Sequence, residues 1–96
     1  MSKKLEKIAK IMAELEDKSS HLHYENLKLW IARVVYDELK SQKIKRKDFA
    51  KRLNMCNKDI REIIYADKDL TCLEMVQIMF ELGYKINLNL EKVKND

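Results

Sequence analysis

The sequence predicts an all-α domain of five helices with a C-terminal β-strand. Three observations carry that expectation. The 96 residues contain one Gly and no Pro, so little in the chain interrupts a helix. Apolar residues recur at three- and four-residue spacing in five separate runs, the signature of amphipathic helices. In "YKINLNL", residues 84–90, the spacing changes to alternation, the period of a strand. With 46% hydrophobic and 38% charged residues, a chain of this length has material for a single modest core in a soluble protein.

Leu5, Ile8, Met12 and Leu15 fall on one helical stripe, with Glu6–Lys10 and Glu14–Lys18 at ion-pair spacing. Residues 1–20 therefore form an amphipathic helical extension to a domain spanning residues 21–96. Either Ser19 or Ser20 serves as the cap of the next helix. Leu27, Trp30, Ile31, Val34, Val35 and Leu39 mark that helix as far as about Ser41, and their breadth places it at the centre of the core. Trp30 and the methionines at helical spacing read as core residues. After "KSQKIKRK", Phe49, Ala50 and Leu53 make the face of a short helix that ends at Asn54, a residue tolerant of left-handed backbone. Asn57 is expected to cap the following helix, whose apolar side is Ile60, Ile63 and Ile64. Thr71 and Glu74 then form a capping box for a helix through Leu73, Val76, Ile78, Met79 and Leu82, ended by Gly83. The closing "EKVKND" is polar and expected to fray.

Net charge is +4 with a pI near 9.0, a mild bias whose placement carries the information. Between Lys40 and Lys68 there are ten Lys or Arg against four acids, an excess of six, so the remainder of the chain is net acidic. Cys56 and Cys72 are sixteen residues apart, without zinc-site spacing or disulfide density; both read as reduced cytosolic thiols, Cys56 inert and half-buried. The basic N-terminus is followed by charge every few residues, unlike a signal peptide, and no apolar run approaches a membrane span. A cytoplasmic location away from membranes is expected.

Two short helices joined by a three-residue turn inside the basic segment have the helix-turn-helix shape. In that arrangement the first helix braces on the phosphate backbone and the second enters the major groove. Ala50 is small enough for the close approach of the two helices, with Ile60 and Ile63 beneath it.

Over about Leu27 to Leu90, with Phe49, Ala50, Leu53, Ile60 and Ile63 as the apolar frame, the chain resembles the Xre/Cro type of helix-turn-helix regulators. "DLTCLEMVQIMFELGYKINLNL" looks like the family's next helix and tail, and is particularly similar to HigA-like antitoxins of toxin-antitoxin operons. The resemblance implies a lambda-repressor-like DNA-binding domain. It departs from the family at Asn54 and Ala66, where Gly is usual, and at Lys45, where a hydroxyl cap is usual. Asp59 and Glu62 also lower the net attraction of the second motif helix for DNA.

Carried over residue by residue, the resemblance puts Asn57, Lys58, Arg61, Glu62 and Tyr65 on the exposed side of the recognition helix. Arg61 is suited to the paired hydrogen bonds that select guanine, and Asn57 to adenine or a phosphate. Arg46, Lys47 and Lys68 flank that helix and suit phosphates. The implied function is a sequence-specific transcriptional repressor, and within the antitoxin branch a toxin partner. The alternative is an interaction module that neutralises a toxin or another protein, with the helix pair as scaffold.

Because a single strand leaves its backbone groups unpaired, the strand is expected to join two copies through Tyr84, Ile86, Leu88 and Leu90. A toxin strand could pair there instead. No enzyme is expected, since the chain lacks a phosphate-cradling Gly loop and a nucleophile–base pattern. Nor is a cofactor: His21 and His23 diverge on a helix, and no Cys or acid cluster completes a metal shell.

Overall fold

The computed structural model describes residues 6–8, 10, 11, 19–87 and 89–93. It is all-α. Residues 6–8, 10 and 11 are helical and exposed; Leu5, Met12 and Leu15 of the expected N-terminal stripe lie outside the described residues. The body consists of α1 (Ser20–Ser41), α2 (Arg46–Leu53), α3 (Asn57–Ile64) and α4 (Cys72–Glu81).

Ser19 is the cap of α1, its Oγ accepting from the Leu22 N–H at 3.1 Å. The core is built from Ile31, Val35 and Leu39 of α1, Phe49 and Ala50 of α2, Ile60 and Ile63 of α3, and Ile78, Met79 and Leu82 at α4, with Leu70 closing one end. Phe49, Ile60, Ile63, Ile78 and Val35 are fully enclosed. Ala50 is buried at the α2–α3 approach, so the close crossing of the two short helices rests on a methyl group with Ile60 and Ile63 packed below.

The buried face of α1 differs from expectation. It comprises Lys28, Ile31, Ala32, Val35 and Leu39, while Trp30 is 64% exposed and Leu27 also reaches solvent. Trp30 lies roughly 140° around the helix from Val35, at about 100° per residue, which carries it past the edge of the core. Leu73 and Val76 are likewise exposed, as is Phe80. These three form an i, i+3, i+7 row on the outer side of α4, opposite the buried Ile78, Met79 and Leu82. Of the described methionines, Met79 is buried and Met55 and Met75 pack against the core edge.

Four left-handed exits shape the body. Lys43, Asn54, Ala66 and Gly83 all have positive φ, at 56°, 58°, 58° and 96°. Behind each, the next residue returns a backbone bond into the finished helix: Ile44 N–H to Leu39 O at 2.9 Å, Met55 to Ala50 at 2.8 Å, Asp67 to Glu62 at 2.8 Å and Tyr84 to Met79 at 2.9 Å. This is the Schellman closure, usually made with Gly; here only one of the four positions has it.

The loop from α3 to α4 is clamped onto α1. The Tyr24 hydroxyl accepts from Leu70 N–H at 2.8 Å and donates to Leu70 O at 3.3 Å. Lys28 buries its stem and brings Nζ to 3.1 Å from Asp69 Oδ1 and 3.4 Å from Glu25 Oε2. The Asp69 hydrogen bond, ahead of the Glu25 contacts, raises the Lys28 pKa against a smaller lowering by burial. At the far end Gln42 donates to Leu82 O at 3.0 Å, so α1 and α4 run in the same direction with both ends tied.

The C-terminal β-strand is corrected. Among the described residues none is in a strand, and residues 84–87 and 89–93 are irregular. Alternating sequence alone does not form a ladder; a strand needs a hydrogen-bonding neighbour, and the described residues offer the tail none. Tyr84 instead turns back onto α1, donating its hydroxyl to Glu38 Oε1 at 2.5 Å.

The left-handed exits give a direct test. Ala66 carries a Cβ where the backbone favours Gly, so Ala66→Gly is expected to raise stability by about 1 kcal/mol and Tm by about 4–8 °C in urea and thermal unfolding. The reverse change, Gly83→Ala, meets no atom within 4 Å yet is expected to lose about as much through backbone strain alone. A neutral result for both would remove the closures from the stability argument.

Candidate nucleic-acid interface

The basic segment folds so that the first turns of α2 and α3 face a common cleft of about 180 Å³ lined by Arg46, Asn57, Lys58 and Arg61. Two helix N-termini and three cations thus converge on one opening. Lys45 precedes α2 with extended backbone but contributes no side-chain cap, leaving the first N–H groups of that helix without a side-chain acceptor. Arg46, Lys47, Asn57, Lys58 and Arg61 are all exposed. Among the described residues no carboxylate lies within ion-pair distance of Arg46, Lys47 or Arg61, whereas Lys58 reaches Glu62 at 3.7 Å.

The start of α3 differs from expectation by one residue. Cys56, not Asn57, is the N-cap, and Asn57 is the first helical residue. Asp59 completes the capping box from the third helical position, its Oδ2 accepting from the backbone N–H and from the Sγ of Cys56, each at 3.1 Å. This leaves the Asn57 side chain out of the capping arrangement and in the cleft. Cys56 is exposed rather than half-buried, as is Cys72.

Both acids of α3 are engaged locally. Asp59 caps the helix and pairs with Lys68 at 3.6 Å; Glu62 pairs with Lys58 one turn back. The thiol hydrogen bond from Cys56, then its backbone N–H and Lys68, hold the Asp59 carboxyl below the ordinary carboxylate range despite partial burial. Lys68, expected to meet a phosphate, is therefore turned toward Asp59 and only a quarter exposed. Tyr65, the C-cap of α3, is exposed at the other end of the helix, away from the N-terminal cleft.

Of the expected tail contacts, Tyr84, Ile86 and Leu90 are exposed, and Leu88 lies outside the described residues. The Tyr84 hydrogen bond, followed by that of Gln42, lowers the Glu38 pKa, and the same contact raises that of Tyr84. Residues that sequence reasoning missed tie the loop after α3 to the start of α1. Tyr24, Lys28 and Asp69 hold the segment after α3 in place, and the signal for them was a charged residue, Lys28, on a buried stripe.

His21 is exposed and 3.8 Å from Glu25; no group of three or more potential metal ligands occurs among the described residues. No described helix is long and apolar enough to cross a membrane. No protein-family model, curated protein or solved structure matches the chain.

The Asp59 cap predicts an acid limb in stability. A carboxyl with a depressed folded pKa contributes stability that is present above its unfolded value, near 3.8, and lost as pH falls through the folded value. Asp59→Asn is expected to lower Tm at neutral pH and to flatten the loss below about pH 4. An unchanged acid limb, followed by circular dichroism, would show that the bond to Cys56 contributes nothing to folding.

Proposed function

We propose that the chain is a sequence-specific DNA-binding transcriptional regulator, a cytoplasmic repressor that reads double-stranded DNA as a homodimer through α2 and α3 in helix-turn-helix fashion. The observation that carries this reading is the convergence of Arg46, Asn57, Lys58 and Arg61 on one cleft at the N-terminal ends of both helices, with both acids of α3 engaged within the protein. Uncapped N–H groups at α2 and the positive helix end suit a phosphate oxygen, with Arg46 and Lys47 beside it. That contact would fix the register of α3. Arg61, exposed and without an ion-pair partner among the described residues, is then the side chain suited to the O6 and N7 acceptors of guanine, and Asn57 to the donor–acceptor pair of adenine.

The likeness of residues 69–90 to antitoxin tails extends the proposal to an antitoxin in an operon it represses. The exposed row Leu73, Val76 and Phe80 favours a protein partner in addition to DNA, whether a second copy or a toxin. With a twofold axis relating two copies, the recognition helices would enter successive major grooves about 34 Å apart.

The test is a mobility-shift series on the DNA upstream of the coding sequence. If about six phosphates are neutralised per dimer, log affinity falls against log salt with a slope of about −5. Arg61→Ala is expected to cost about 1–3 kcal/mol on specific DNA and to relax sequence choice, while Lys47→Ala, which removes one contact from each protomer, weakens all sequences alike and reduces the slope by about 2. Specific binding by Arg61→Ala equal to the parent's would remove α3 as the reading helix.

A further inference from the structure

A second cleft, of about 250 Å³, opens beside the first and shares Arg46 with it. Its lining is of a different kind. Leu39 of α1, Ile44 of the link and Ile64 at the end of α3 present apolar surface, and the half-exposed Tyr36 ring adds an aromatic wall with Lys40 Nζ 6.0 Å above its centroid. Lys40 and Arg46 supply the charge, and among the described residues neither has a carboxylate within ion-pair distance. The link is firmly held: Ile44 returns its N–H to Leu39, and Gln42 bonds Glu38 and Leu82. The opening is thus part of the folded body.

We propose that this cleft binds a small amphipathic carboxylate, aromatic or branched aliphatic, and that its occupation competes with DNA for Arg46. The binding half stands on the lining alone; the regulatory half rests on the DNA-binding reading above. An apolar floor with few polar groups at its edge is the ordinary make-up of a small-molecule site. At about 30 Å³ per displaced water the volume corresponds to roughly eight waters, room for a ligand of about ten non-hydrogen atoms. The two cations require a negative group, and the planar guanidinium of Arg46 matches a carboxylate through two parallel bonds. A compact, strongly hydrated anion such as inorganic phosphate would leave Leu39, Ile44 and Ile64 uncovered. An arginine drawn toward such a carboxylate is no longer available to a DNA phosphate next door.

Titration of the full chain with phenylacetate, followed by amide chemical shifts, tests the binding half. Saturable shifts centred on Lys40, Ile44 and Ile64 are expected, with a dissociation constant of about 1 mM, the ordinary reach of a ligand of this size. Phenylacetamide, which lacks the charge, and inorganic phosphate, which lacks the apolar part, are expected to give no saturation there. Lys40→Gln is expected to weaken phenylacetate about tenfold. Both Lys40 and Tyr36 are exposed, so Lys40→Gln and Tyr36→Ser are expected to keep the fold and the DNA affinity.

In the mobility-shift assay phenylacetate is expected to weaken the parent on DNA, with Lys40→Gln and Tyr36→Ser resisting. No saturation by phenylacetate, or equal saturation by phosphate, overturns the site. Saturation without any effect on a protein that binds DNA overturns the competition. Saturation by a protein that binds no DNA supports the site and removes the proposed function together with the competition built on it.

Discussion

Everything in this small body depends on stopping helices at defined places in a chain with a single Gly. Each of α1 to α4 ends in a left-handed residue followed by a backbone bond back into the last turn. A lysine, an asparagine and an alanine take that conformation at three of the four exits, each at a local cost. The return bonds and the apolar residue behind them, such as Ile44 against Leu39, offset that cost. The angle between α2 and α3, and therefore which residues share the basic cleft, follows from the Asn54 exit and from the size of Ala50 beneath it.

The same local logic governs the charge. Asp59 and Glu62 would cancel much of the field of α3 if both faced outward. Instead Asp59 completes the start of its own helix and holds Lys68, and Glu62 joins Lys58. Arg46, Lys47 and Arg61 are left with exposed positive charge. A structural need, closing a helix whose first cap residue is a cysteine, thereby shapes the electrostatics of the surface.

The parts legible in the sequence were those governed by neighbours along the chain. Ser19, the Thr71–Glu74 box, the Asn54 corner and Gly83 were found because caps and turns are chemistry over three or four residues. Lys43 was not legible as a left-handed exit, since its residue type does not announce it, and at Ala66 the signal was the family resemblance, which has Gly there, and not the alanine itself. Trp30 and Leu73 were assigned inside because spacing shows that a stripe exists without fixing how wide the core beneath it is. Lys28 was overlooked because its partner Asp69 lies 41 positions away. For the site, Arg46, Asn57, Lys58 and Arg61, which the family resemblance singled out, line one cleft, while Lys68 is turned to an ion pair that spacing does not reveal. Strand alternation in residues 84–90 misled for a related reason: periodicity describes a surface, and a ladder needs a partner.

The central claim is that α2 and α3 form one reading unit, with the phosphate contact at the end of α2 setting where α3 lies. Hydroxyl-radical footprinting of the pure protein on its own upstream DNA tests it most directly. The account predicts two protected patches about one helical turn apart, both weakened when Arg46→Ala removes the shared contact. Uniform, salt-sensitive protection with no defined patches, unchanged by Arg46→Ala, would contradict it.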